Sequence, residues 1–280
     1  MTEPKYVQAN GLKFAYLEEG EGPLVVLVHG FPDTAHTWDR VRPALAEAGY
    51  RAVAPFTRGY LPTQIPNEEA FDSDTLGRDI LALIEALGDE SAIVVGHDWG
   101  ASAAYSAAGL QPDRVRMLVT LAIPHPAGLR PTPSLLWSIR HFFWLSRRGA
   151  AEKLLADDLA YIDELVARWS PGWTVPKGET DAVKKIFRDR DCLHAALGYY
   201  RAASPKLPAG HRARVKMPAV AFAGADDIIA LDAYDKPRVR GRYEEAYEVV
   251  KMPGGHFMHR EHPEVFTTEL LRVIEAYAAV

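Results

Sequence analysis

The chain has 280 residues, 48% of them hydrophobic and 25% charged, with a formal net charge of -5 and a pI near 6.1. That is the composition of a globular protein with a large buried core, and its acidic balance argues against a nucleic-acid partner, which wants a basic face. The single cysteine, Cys192, excludes an intramolecular disulfide framework.

A lone buried cysteine fits a reducing, cytoplasmic compartment. The first residues lack the basic-then-apolar pattern of a secretory signal, and no run reaches the ~18 apolar residues of a membrane span. The expected partners are a small, neutral, apolar molecule and water, with no nucleic acid and no membrane; a homodimer is left open.

In chain order, Tyr6 to Asn10 and Leu12 to Leu17 alternate around Gly11 and predict a hairpin. Leu24 to Val28 is a continuous apolar run ending in His29-Gly30, the pattern of a strand buried on both faces. Arg51 to Pro55 predicts another strand. Thr75 to Leu87 has helical periodicity through Leu76, Ile80, Leu83, Ile84 and Leu87. Ala92 to Val95 and Arg116 to Ile123 predict two more strands, with an alanine-rich helix from Ala101 to Leu110 between them. Buried strands alternating with helices predict a mostly parallel sheet flanked by helices.

The alternation breaks at Pro124-His125-Pro126. From there to Val215 the chain is helical, aromatic and punctuated by prolines. Strand signals resume at Ala219 to Gly224 and Tyr247 to Val250, and a last helix starts at Pro263. The expected division is a core of residues 1–123 and 216–280, with residues 124–215 inserted as a helical cap over the strand ends.

The stretch Gly96-His97-Asp98-Trp99-Gly100 lies between a strand and a helix, the layout of a nucleophile elbow with aspartate in place of serine. A carboxylate is a weak nucleophile towards carbonyls. It can, however, displace a leaving group from saturated carbon and form an ester on the protein. This points to opening of strained rings, or expulsion of halide, with water as the final reagent. Reactive groups in open parallel sheets gather at the carboxyl ends of the strands. His29-Gly30-Phe31-Pro32, Asp98, Asp226-Asp227 and Gly254-Gly255-His256-Phe257 all fall there. Asp98 is read as nucleophile and His256 as general base, with an acid to orient its imidazole. The N–H groups of Phe31 and Trp99 are read as the oxyanion hole. His29 and His97 are read as structural.

His29-Gly30-Phe31-Pro32 with Trp38, Arg58-Gly59-Tyr60, Gly96 to Ala101, and Gly255-His256-Phe257 with Glu261 and Pro263 occur in register. In this the chain resembles the epoxide hydrolase and haloalkane/haloacetate dehalogenase branch of the α/β-hydrolase fold. The resemblance implies that fold, neither metal nor organic cofactor, and the chain order nucleophile, acid, histidine. It favours Asp226 over Asp227 as the triad acid. Leu197-Gly198-Tyr199-Tyr200-Arg201 is similar to the family's cap motif, which makes Tyr200 the donor to an opening ring oxygen. His141 stands where the family has a second tyrosine, and a histidine there is similar to the haloacetate enzymes. Phe142 and Tyr199 complete the expected substrate lining.

Phe31, where haloalkane enzymes usually carry asparagine, and Trp99, where haloacetate enzymes usually carry arginine, argue against dehalogenation. Epoxide hydrolysis to a diol is therefore the expected activity. Hydrolytic dehalogenation through the same triad is the alternative, and a catalytically silent ligand-binding homologue the third. The apolar run Ser134 to Leu145 is read as a cavity roof rather than a membrane-surface helix.

Overall fold

The computed structural model describes residues 3–278. Strands β1 (Lys5–Ala9) and β2 (Leu12–Glu19) pair antiparallel across Asn10-Gly11, both at positive φ, the two-residue turn that Asn-Gly favours. With β3 (Leu24–Val28), β4 (Arg51–Pro55), β5 (Ala92–His97), β6 (Val115–Leu121), β7 (Ala219–Gly224) and β8 (Tyr247–Met252) they form one eight-stranded sheet. Its order is β1-β2-β4-β3-β5-β6-β7-β8. Pairing is antiparallel from β1 to β4 and parallel from there to β8.

The apolar run of β3 and residues Ala92 to Val95 of β5 lie at the centre, none more than 2% exposed. Each fully buried valine, leucine or isoleucine there contributes about 1.5–3 kcal/mol. These fully buried strands carry His29 and Asp98 at their carboxyl ends.

Helices α1 (Arg42–Glu47), α2 (Ser73–Ala86) and α3 (Trp99–Leu110) connect the first strands. Asp72 caps α2 by accepting from the Asp74 and Thr75 N–H groups. Between β6 and β7 the chain forms seven α-helices and no strand. They are α4 (Pro133–Ser138), α5 (His141–Leu145), α6 (Ala150–Leu155), α7 (Ala160–Trp169), α8 (Asp181–Phe187), α9 (Arg190–Ala202) and α10 (Ala209–Arg212). α11 (Pro237–Arg240), α12 (Met258–Glu261) and α13 (Pro263–Tyr277) follow. Cys192 is buried in α9. No helix among the described residues is long and apolar enough to cross a membrane.

The loop after β4 joins the sheet to α9. Arg58 donates from Nε and Nη2 to both oxygens of Asp79 on α2, 2.7 Å each, and both side chains are buried. Its carbonyl accepts from the Tyr199 hydroxyl at 2.7 Å. Thr63 further along accepts from Ala15 N–H and donates to the Phe56 carbonyl. The Arg58-Gly59-Tyr60 segment therefore seats α9 on the sheet. Removing one partner of a buried ion pair strands the other, at about 3–5 kcal/mol. Arg58→Met is expected to lower the melting temperature by roughly 6–20 °C, from about 2–4 °C per kcal/mol. An unchanged thermal melt would show that Asp79 does not depend on this guanidinium.

Candidate active site

Asp98 sits at the turn from β5 into α3 with φ 54° and ψ -118°, a backbone state that a non-glycine residue holds only under constraint. The turn is tight enough that a Cβ on Gly100 would lie 2.2 Å from the Val28 carbonyl oxygen. One on Gly96 would lie 2.3 Å from the Gly100 carbonyl oxygen. Glycine at both flanks is what lets the carboxylate project from the sheet. Asp98 Oδ1 accepts from the Phe31 N–H at 2.9 Å. The Trp99 N–H stands at the first position of α3, where the helix supplies it no acceptor.

His256 lies opposite, its Nε2 3.4 Å from Asp98 Oδ2 and its ring buried. Its Nδ1 is 3.0 Å from Asp227 Oδ1. The carboxylate that meets His256 is therefore Asp227 and not the expected Asp226, which is exposed. The reason lies in the backbone. The Ala225 N–H donates to the Met252 carbonyl and the Asp226 N–H to the Gly254 carbonyl, so the β7–β8 ladder runs two residues beyond Gly224. Asp226 is held in that ladder with its side chain outward. The chain turns at Asp227, whose carboxylate is fully buried and also accepts from the Ile228 N–H.

The loop carrying His256 is clamped from below. Glu261 Oε1 accepts from the Gly255 N–H and the Ser170 hydroxyl, and the His256 N–H donates to the Trp169 carbonyl. His97 and His29 serve the frame, as expected. His97 Nε2 bonds to the His256 carbonyl, and His29 Nε2 accepts from the Thr57 N–H.

Burial alone would raise the Asp98 carboxyl, but the His256 imidazole and the Phe31 N–H outweigh it and hold the pKa below its usual value. Burial would likewise depress His256. The Asp227 carboxylate, and then Asp98, override it and push that pKa up to about 10. The free site thus holds an imidazolium between two carboxylates.

Tyr200 on α9 meets Phe31 and Trp99 edge-on, with ring centroids 5.2 Å away in each case, and Phe142 at 4.9 Å. Burial, with the Asp98 charge added, raises its phenol well above the ordinary value, so it is a neutral donor. His141 begins α5 with its ring 4.6 Å from Trp169 and 6.1 Å from Tyr200. Burial lowers its pKa to about 3, leaving a neutral imidazole. Tyr199 lines the cavity with its ring, but its hydroxyl is already committed to Arg58. Three buried polar atoms around Asp98 have no hydrogen-bond partner: Trp99 Nε1, His141 Nδ1 and Tyr200 Oη. Buried polar groups are almost always paired, so three together mark a place suited to a ligand's polar atoms.

Above Asp98 opens a cavity of about 550 Å³, a volume ordinary for a small-molecule site. Its wall is largely apolar, with Leu135, Ile139 and Phe142 from α4–α5 facing Ile228 and Ile229 beyond β7. Behind His256, ligand atoms of Asp33, His97 and His259 lie within 4.8 Å of one another. Asp33 is already paired with Arg260 at 2.9 Å, and the Thr37 hydroxyl holds His259 Nε2. A cation there would have to compete with a guanidinium.

Strand order, elbow and facing histidine define the class. Residues 23–263 match the family model described as the alpha/beta hydrolase fold, and the chain belongs to that family. Among curated relatives, it is 33% identical over 234 residues to an epoxide hydrolase of Caballeronia sordidicola, covering 71% of this chain and 70% of that one. At this coverage and identity the chain falls in the epoxide hydrolase branch. Among solved structures it is similar to epoxide hydrolase VrEH1 from Vigna radiata, with a TM-score of 0.82 and 27% identity over 98% of each chain. The Bacillus megaterium epoxide hydrolase shares the fold, with a TM-score of 0.86 and 22% identity over 97% of this chain and 100% of that one.

Proposed function

We propose that this protein hydrolyses epoxides to vicinal diols through a covalent ester on Asp98. The supporting observation is the ring of unpaired donors about a strained, ionised carboxylate beneath an apolar cavity. Asp98 Oδ2 attacks a ring carbon and the C–O bond breaks. The electron pair goes to the ring oxygen, which the Tyr200 hydroxyl supports, with neutral His141 as the second donor. Oδ1, held by the Phe31 N–H, remains the carbonyl oxygen of the ester.

Alkylation then changes His256. The ester carries no charge, so the Asp98 contribution that favoured the imidazolium disappears, the His256 pKa falls and the unprotonated imidazole becomes available to act as base. The imidazolium proton leaves towards the new alkoxide oxygen or solvent. Neutral His256 Nε2, oriented by Asp227, takes a proton from water as that water attacks Asp98 Cγ. Oδ1 becomes the oxyanion, within reach of the Phe31 and Trp99 N–H groups. Collapse expels the second diol oxygen, which takes the proton from His256, and the new Asp98 acid passes its own proton to His256, restoring carboxylate and imidazolium.

In this reading residues 124–215 act as a cap that closes the cavity over residues 1–123 and 216–280. The substrate is small, neutral and apolar, and the lone buried Cys192 fits a cytoplasmic setting. Tyr200→Phe tests the donor. It is expected to lower the alkylation rate about 10–100-fold with a styrene-type epoxide, since an alkoxide needs a proton donor more than a halide does. Full turnover by that variant in stopped-flow single-turnover assays would remove Tyr200 from the mechanism.

A further inference from the structure

The roof of the cavity has a second face. Leu135, Ile139 and Phe142 line the interior. Their neighbours Leu136, Trp137 and Phe143 point outward, 41%, 69% and 59% exposed. They are three of the five exposed large hydrophobic side chains among the described residues, gathered within two consecutive short helices. A roof needs only the inner set, so the expectation that this whole run covers the active site accounts for half of it.

The charge of the same segment is equally uneven. The chain is acidic, yet between Asp113 and Glu152 it contains no aspartate or glutamate. Arg130, Arg140, Arg147 and Arg148 fall in that interval, and none forms an ion pair with a carboxylate among the described residues. The Arg140 guanidinium lies over the Trp137 ring, 4.4 Å from its centroid, and donates to the Trp137 carbonyl. Exposed tryptophan, phenylalanine and leucine interleaved with unpaired arginines form the pattern that settles at a lipid–water boundary.

We propose that the outer face of residues 130–148 docks on the surface of an anionic lipid bilayer. Charge complementarity selects that occupant: apolar side chains enter the headgroup region while the arginines meet lipid phosphates and carboxylates. A second copy of the chain fits poorly. A twofold axis through the patch would bring the arginines against their own kind with no carboxylate in the segment to answer them.

The test is co-sedimentation of the full chain with large unilamellar vesicles of phosphatidylcholine, alone or with 30% phosphatidylserine, at 50 and 500 mM salt. Binding is read without substrate, so a failure of the catalytic reading leaves it untouched. The chain is expected to pellet with the serine-lipid vesicles at low salt, to stay in solution with phosphatidylcholine alone, and to be released at high salt. Trp137→Ser with Phe143→Ser should cut partitioning at least tenfold. Arg147→Gln with Arg148→Gln should cut it roughly 30-fold, about fivefold per arginine. Both double variants should keep the wild-type circular dichroism and thermal melt, since these side chains are exposed. No partitioning onto either vesicle would overturn the proposal, as would partitioning that the variants do not change. Concentration-dependent self-association abolished by the Trp137 and Phe143 changes would overturn it too, reassigning the patch to a dimer.

Discussion

Asp227→Asn is expected to lower turnover about 10³–10⁴-fold, while Asp226→Asn, one residue away, leaves it within about threefold. The difference follows from where the two carboxylates lie. Asp227 Oδ1 is buried 3.0 Å from His256 Nδ1, and Asp226 is exposed. An asparagine at 227 offers its amide N–H as readily as its oxygen, and so stabilises the tautomer with a bare Nδ1 and a protonated Nε2. That imidazole cannot accept a proton from water. The carboxylate also supports the imidazolium that forms as water is deprotonated, and an amide cannot. The loss should fall on hydrolysis of the ester, so single-turnover alkylation should slow far less than steady-state turnover. Equal losses in the two variants would mean that the orienting acid is not fixed by this geometry.

Most of the fold was legible because its strands are buried on both faces and therefore read as unbroken apolar runs. Leu24 to Val28, Arg51 to Pro55 and Ala219 to Gly224 fall where the sequence places them. The helix expected from Thr75 begins at Ser73, because Asp72 rather than the first apolar residue sets the start. The placement of Asp98 and His256 at neighbouring strand ends was legible because glycines that allow close backbone approach flank both. The triad acid was misread because two adjacent carboxylates end one strand, and which of them turns inward depends on where the ladder stops. That is set by the Asp226 N–H bond to the Gly254 carbonyl, a contact between distant segments. One local signal did point the right way: Asp227 adjoins Ile228-Ile229, the apolar pair that enters the cavity wall.

Other roles were hidden for the same reason. Tyr199 and Tyr200 are neighbours on α9, yet one hydroxyl is taken by Arg58 and the other is left free near Asp98. The resemblance of the Tyr-Tyr-Arg string singled out Tyr200, but the tie of Tyr199 to Arg58 was not legible; the 100° step along a helix sends the two side chains to different neighbours. Glu261, part of a recognisable motif, proves to hold the histidine loop through Gly255 and Ser170. The Arg58-Gly59-Tyr60 segment joins α9 to the sheet, a role that needs the position of α9 to be visible at all.

The claim that Asp98 is a nucleophile, and His256 the base that frees it, is tested most directly by intact-protein mass spectrometry of His256→Phe. Removing the base should slow ester hydrolysis about 10²–10⁴-fold while leaving the attack possible. Incubated with a styrene-type epoxide, the variant should gain the mass of the whole epoxide, located by peptide mapping within Gly96 to Gly100. Asp98→Ala in the same background should gain nothing. A folded His256→Phe protein that takes up no mass from the epoxide would contradict the account. Added mass from a haloalkane or haloacetate, equal to the organic fragment without its halide and without any epoxide adduct, would keep Asp98 as nucleophile and reassign the substrate.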